Sequence, residues 1–391
     1  MKIGSFPLVL LAHFNLVLTF SLPGWTEKDA SPSGRYLLYV GTYTKGESKG
    51  IYVYSYDAKS GESEPLGLAA ETPNPSFFAI DPRQRVLYAV NELTQYKGSS
   101  SGAVTAFRVD LANGKLSPIN EVASRGADPC YISLDKTGKY VLVANYTGGS
   151  VAVFPVRKDG GLGDATAFIQ HVGSGRNPAR QEGPHAHWIE TTPDNRFALV
   201  ADLGLDEVLV YRFHANRGTL TPNDPHFAKV EAGAGPRHIA FHPNGKVLYV
   251  IDELASTVTV FSSDPSKGTL HLLQSLSTLP SGFTGNNDTA EIHVHPNGKF
   301  LFASNRGHDS IAVFSIDQKT KTLTVVDHFS TQGKTPRNFE LDPTGTRVLV
   351  ANQDSDNIAF FNIDVQTGYL TAMGQQLKVP SPVSLRFVAA L

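Results

Sequence analysis

One stretch of residues recurs along this chain, and nothing else in the sequence restricts the fold so tightly. The copy at residues 235–253 reads GPRHIAFHPNGKVLYVIDE. Others begin at Asn74 (NPSFFAIDPRQRVLYAVNE), Asp128 (DPCYISLDKTGKYVLVANY), Gly183 (GPHAHWIETTPDNRFALVAD), Ala290 (AEIHVHPNGKFLFASNR) and Thr335 (TPRNFELDPTGTRVLVANQ). Their turn residues are Pro82, Lys136, Pro193, Pro243, Pro296 and Pro343. The mean spacing is about 52 residues, near the period of kelch-type propeller repeats. What every copy keeps answers to the fold; what differs between copies needs another reason.

Each copy holds two alternating apolar runs around a Gly, Asn or Asp turn, the pattern of a β-hairpin. In the Gly235 copy the runs are residues 238–241 and 247–251. A third run follows in each (residues 104–109, 151–156, 208–213, 258–261, 311–316 and 358–363), then a turn and a short fourth, as at 270–276. Four short antiparallel strands per repeat predict an all-β propeller. A seventh blade is split between the termini. Residues 35–40 and 50–56 read as its second and third strands, and residues 381–387 supply the missing first. Such closure removes two open sheet edges. The expected organisation is a leader at 1–22, a linker at 23–34 and one seven-bladed β-propeller at 35–391.

The formal net charge of −2 and the lack of any Lys/Arg run argue against nucleic acid or an acidic membrane as partner. Lys2 followed by an apolar stretch over residues 6–22 reads as a secretory signal peptide, with an uncleaved anchor as the alternative. The expected location is therefore periplasmic or secreted, and cytoplasmic if the leader is not functional. A single cysteine, Cys130, forbids an intramolecular disulfide.

In a propeller the first strand of each blade lines the central channel, and the second runs back beside it. The start of one and the end of the other therefore share a face of the ring. The position after the copy's Pro, or its equivalent, is occupied by Ser76, Cys130, His185, Arg237, Glu291, Arg337 and Val383. The second strands end in Asn91-Glu92, Asn145-Tyr146, Asp202-Leu203, Asp252-Glu253, Asn305-Arg306 and Asn352-Gln353. The first member is always Asn or Asp, side chains that cap their own backbone turns, and these are read as structural. The variable positions gather His185, Arg237, Glu253, Glu291 and Arg306 on adjacent blades, with Glu92 and Arg337 further round. A carboxylate among arginines can move a proton, and guanidinium groups bind anions and oxyanions. The same set also reads as a solvated ring of ion pairs.

Other candidates are weaker. His185-Ala-His187, His293-Val-His295 and Arg237-His238 place imidazoles near carboxylates, but His242 and His295 stand at the repeat's own turn. No metal-binding helix motif or Cys pair accompanies them, so no metal ligand is assigned. Cys130 reads as a small packing residue. Residues 170–183 (QHVGSGRNPARQEG) interrupt the period and lead into His185, bringing Arg180 towards the rim; residues 280–289 lead likewise into Glu291. Loops so placed read as substrate-contacting or as tolerated insertions.

The segments RQEGPHAHWIETTPD, GPRHIAFHPNGKVLYVIDE and AEIHVHPNGKFLFASNRGHDSIAVF closely resemble the seven-bladed lactonase family, which includes propeller-type 6-phosphogluconolactonases and the fungal carboxy-cis,cis-muconate cyclase. The resemblance runs from about Tyr36 to Phe387. It implies a site without metal or cofactor, built of one His, two Arg and one Glu: His185 (or His187), Arg237, Glu253 and Arg306. It also implies hydrolysis of a sugar-acid lactone, first of all 6-phosphogluconolactone. Glu253 would activate water, the arginines would hold substrate and oxyanion, and His185 would orient or protonate. His187, Arg180, Glu291 and Arg337 are the expected further substrate contacts. A lactone-forming cycloisomerase, a non-catalytic YVTN-like binding propeller and a metal-dependent gluconolactonase are the competing readings. A binding scaffold would carry similar rim residues in every blade, whereas here they concentrate in one sector.

Overall fold

The computed structural model of the chain describes Met1, Ser31, residues 34–83 and residues 85–390. Apart from Met1, the expected leader lies outside the described residues, as does most of the expected linker. The remainder forms seven four-stranded antiparallel sheets, the expected blades. In chain order their inner strands are Phe78–Ile80, Pro129–Leu134, Ala186–Thr191, Pro236–Phe241, Asp288–Val294, Pro336–Leu341 and Pro382–Ala389, and they number the blades 1 to 7. The ring closes as the split repeat requires: Pro382–Ala389 pairs with Arg35–Thr42, bringing Leu38 opposite Phe387 and Val40 opposite Leu385.

The core lies between successive blades. Fully buried Leu38, Val40 and Leu385 of blade 7 pack in one cluster with Leu349, Ile358 and Phe360 of blade 6. Each large apolar side chain so buried contributes about 1.5–3 kcal/mol. Tyrosines in the second strands add polar ties: Tyr39, Tyr88 and Tyr249 donate to the carbonyls of Gly114, Gly160 and Lys321 in the following blade. A buried phenol needs such a partner.

The Asn that ends the second strand in four of the blades does more than the turn-capping expected of it. Asn145 and Asn305 do hold their own turns, by donating to Ser150 and Ser310, and in all four blades the amide also reaches back towards the preceding blade. Asn91 donates to the carbonyl of Pro73, Asn145 to Ser124, Asn305 to Thr278 and Asn352 to Thr331. Each acceptor lies in the segment that leaves the previous blade's outer strand. The reading as architecture stands, but these side chains stitch blades together.

A second device aims side chains into the channel. Where the inner strand begins, its register against the second strand slips, leaving an extra residue in blades 2, 3, 4, 6 and 7. The extra residues are Cys130, His187, Arg237, Arg337 and Val383. A bulge of this kind re-aims the side chain it carries. It also corrects the assignment of blade 3. His185 follows a proline as Arg237 does, but Ala186 pairs as Pro236 pairs, so His187 occupies the place of Arg237. Blade 5 bulges differently: Ala290 and Glu291 together face Ser304, which puts Glu291 level with His238 rather than with Arg237.

Candidate active site

Glu253 sits at the centre of the charged sector. It follows the second strand of blade 4, Val247–Asp252, and is only 4% exposed. Three guanidinium groups converge on it from different parts of the chain. Arg237, from the bulge of the same blade, places Nε 2.9 Å from Oε2. Arg306, ending the second strand of blade 5, places Nη2 2.9 Å from the same oxygen. Arg180, from the inserted loop, donates Nη2 to Oε1 at 2.5 Å.

Backbone carbonyls hold the two inner arginines from behind. Arg237 Nη1 donates to Ala290 O at 2.6 Å, and Arg306 Nη2 donates to Thr289 O at 2.7 Å. Burial pushes the Glu253 carboxyl up, but the charges of Arg306, Arg237 and Arg180 outweigh it and hold the group down at about 2. Burial, with Arg306 and Arg337 nearby, lowers Arg237 to about 10, so it remains cationic at neutral pH.

The inserted loop is fastened at both ends. His171 Nδ1 meets Asp202 Oδ2 at 2.6 Å, and Asp202 Oδ1 accepts from the backbone N–H of His185. Buried Gln181 donates to Leu203 O and to Asp206 Oδ1. Arg180 is thus delivered by a tethered loop, yet its side chain is 36% exposed against 2% for Arg237 and 14% for Arg306. Its second carboxylate, Asp288, lies 3.8 Å away at the loop that leads into Glu291.

The two candidate histidines occupy different depths. His185 stacks on Tyr146, with ring centroids 4.5 Å apart. Its Nδ1 faces the Tyr146 carbonyl at 3.1 Å, and its Nε2 faces Glu182 at 3.2 Å. Tyr146 Oη in turn accepts from Arg180 at 3.4 Å. His185 therefore reaches the Glu253 cluster through Tyr146 and Arg180. His187 lies deeper, between Tyr146, His238 and Cys130. Burial first, then the charges of Arg237, His238 and Arg337, push its imidazole well below the usual range, so it is neutral.

Beneath the arginines is a polar floor. His238 Nδ1 meets Glu291 Oε1 at 2.9 Å, while Asn338 donates to Glu291 Oε2. Burial lowers His238 against the pull of Glu291. A neutral ring with its proton on Nδ1 donates to Glu291 and leaves Nε2 to accept from Arg237 Nη1 at 3.3 Å. Glu291, expected on the rim as a substrate contact, is buried in this support, and it lines the small cavity that Arg237 and Arg337 share.

Arg337 stands across the channel mouth. No ion pair or hydrogen bond joins its guanidinium to another described residue; it lies 5.3 Å from the Tyr43 ring centroid, and Tyr43 donates to Glu92. Burial works against its charge, but Tyr43, Glu92 and Glu253 outweigh it, so it stays firmly cationic. Arg237 and Arg337 line one small cavity with Ser76, Cys130 and Val383. Among the described residues, no three His, Cys, Asp or Glu side chains are placed to hold a metal ion.

The seven-bladed ring has known relatives. Residues 37–387 match the family described as Lactonase, 7-bladed beta-propeller. The chain belongs to the seven-bladed propeller lactonases. The 6-phosphogluconolactonase of Bacillus subtilis is 39% identical over 355 residues, covering 90% of this chain and 99% of the relative. The 6-phosphogluconolactonase of Formosa agariphila is 36% identical over 311 residues, 78% of this chain and 86% of the relative. The solved structure of the Pseudomonas aeruginosa periplasmic gluconolactonase PpgL superposes with a TM-score of 0.85 at 39% identity, covering 91% of this chain and all of that one. A lactone is the fitting substrate for a member of this family.

Of the sequence-stated candidates, the fold brings Arg180, Arg237, Glu253 and Arg306 into direct contact, with His185, His187 and Arg337 around them. Sequence reasoning passed over Tyr146, Glu182 and Asp288 as site residues, and Gln181 and Asp202 as their supports. Tyr146 had a signal, since it fills the variable place beside Asn145. Asp202 was read as a turn residue like its equivalents. Only the pairing with His171, remote in sequence, shows its further use.

Proposed function

We propose that this lactonase hydrolyses a sugar-acid lactone, with 6-phosphoglucono-1,5-lactone as the substrate its mouth suits best. The carrying observation is the gathering of guanidinium groups: three converge on Glu253, with Asp288 as a second carboxylate for Arg180 alone, and Arg337 has no ion pair among the described residues. Arginine forks suit phosphate and carboxylate oxygens, and the names of the Bacillus and Formosa relatives support the choice.

In this reading water adds to the lactone carbonyl carbon while the carbonyl electron pair moves onto oxygen. Arg237 and Arg306, preorganised by Ala290 O and Thr289 O, stabilise that oxyanion. Glu253 takes the proton of the attacking water. The oxyanion then collapses, the ring C–O bond breaks, and the ring oxygen takes a proton from His185. The product is an open-chain hydroxy acid, whose new carboxylate faces the same arginines.

A second reading, hydrolysis of the unphosphorylated gluconolactone, is favoured by two observations. PpgL is named a periplasmic gluconolactonase, and this chain begins with a sequence that reads as an export leader. Purified protein lacking residues 1–22 should consume base with either lactone, with and without a chelator. Higher kcat/KM on the phosphorylated lactone supports the first reading, and preference for the plain lactone supports the second. Activity on neither would remove both.

A further inference from the structure

The two oxygens of Glu253 are not equivalent. Oε2 takes both inner arginines, Arg237 and Arg306, which backbone carbonyls hold in place. Among the described residues, Oε1 is hydrogen-bonded by Arg180 alone. Arg180 is also the most exposed of the three, the one on an inserted loop, and the one with a second carboxylate, Asp288, within 3.8 Å and the Tyr146 hydroxyl within 3.4 Å. A carboxylate so encumbered is a poor base, because proton acceptance weakens as basicity falls. An arriving anion can reach Arg180 without disturbing the buried pair behind it.

We infer that Arg180 is a removable cap on the working oxygen of Glu253. The substrate's anionic group draws Arg180 off, and the bared Oε1 accepts the proton of the attacking water. In that step one water O–H bond breaks, a bond forms from water oxygen to the lactone carbon, and the carbonyl pair moves to oxygen. Glu253 ends as a neutral acid, still anchored through Oε2. The inference rests on the lactonase reading above and adds that the substrate's own charge switches on the base. An uncharged lactone lacks the means to lift the cap.

The decisive variant is Arg180→Met, compared with Arg176→Met on the exposed part of the same loop as a control. In the wild type kcat should be higher for 6-phosphogluconolactone than for gluconolactone. In Arg180→Met, kcat on gluconolactone should rise several-fold, while KM for the phosphorylated lactone rises. With one of three cations gone, Glu253 binds its proton more readily, so the acid limb of kcat/KM should move up by about one unit. Arg176→Met should change neither. Equal loss of kcat on both lactones, or an unmoved acid limb, would overturn the cap and make Arg180 a plain substrate ligand.

A binding measurement separates this from failure of the lactonase reading. In protein carrying isotope-labelled glutamate, inorganic phosphate should raise the titration midpoint of the Glu253 carboxyl. That rise should be largely lost in Arg180→Met. A phosphate effect that persists undiminished in the variant refutes the cap, whatever lactone the enzyme accepts.

Discussion

Replacing Glu253 by Gln removes the buried negative charge that three guanidinium groups share, and two arguments give the cost. Breaking a buried ion pair by deleting one partner costs roughly 3–5 kcal/mol. Arg180 can swing into water, so the lower end applies. Independently, the Glu253 carboxyl is held at about 2 instead of its usual 4.5. That displacement corresponds to about 3 kcal/mol of folding free energy. The sign follows from the direction: a depressed carboxyl stabilises the fold above its unfolded value and loses that contribution as pH falls through 4.5 towards about 2. Urea denaturation should show Glu253→Gln about 3 kcal/mol less stable at neutral pH, with the gap closing in acid. Turnover should fall at least ~10²-fold if Glu253 moves the proton. Inorganic phosphate, by occupying the bared arginines, should restore part of the stability and none of the turnover. A gap that stays constant with pH would refute the charge argument; a variant of full activity would remove Glu253 from the chemistry.

Other positions give sharper single tests. Asp252 is buried without a cation, and burial lifts it to about 7. Its stabilising protonated form is lost as pH rises from 3.8 through that value, so Asp252→Asn, the residue four other blades carry, should gain at least ~2 kcal/mol in alkaline solution and progressively less in acid. Arg337→Met should raise KM for 6-phosphogluconolactone about tenfold, the value of one charge-assisted contact, and leave KM for gluconolactone unchanged. A Cβ on Gly204 would stand 1.9 Å from Gly183 O and 2.8 Å from His185 N. Gly204→Ala should therefore lower kcat by displacing His185, whereas Gly183→Ala, whose Cβ meets nothing within 4 Å, should keep it.

The ring was legible because each blade repeats one hairpin grammar, and even the split seventh blade could be completed from residues at the far end. The depth of a side chain was less legible. His185 and Arg237 both follow proline, but blade 3 bulges two residues later, and hydrogen-bond register, not residue order, decides which side chain enters the channel. Glu291 was misplaced for the same reason, its bulge holding two residues where most of the others hold one. Arg180 could be read as near the rim from the broken period. Its contact with Oε1 could not, since it depends on Gln181 and His171 fastening the loop to Asp206 and Asp202.

The bulge explains how one architecture carries so uneven a site. Pairing between strands constrains residues that face one another, and the bulged residue is released from that constraint, so Cys130, His187, Arg237, Arg337 and Val383 occupy equivalent places at little cost to the ladder. The layer beneath is divided to match. On blades 1 to 3 it is aromatic, with Phe77 against Tyr131 and Tyr131 against Trp188. On blades 4 to 6 it is polar, with His238, Glu291 and Asn338 bound together under Arg237. The aromatic half excludes water and lowers the local dielectric, which strengthens every charge interaction beside it. The polar half holds Arg237 so that it cannot collapse onto that apolar surface. An arginine-rich mouth needs both halves: without the first its field would be screened, and without the second its donors would not be aimed.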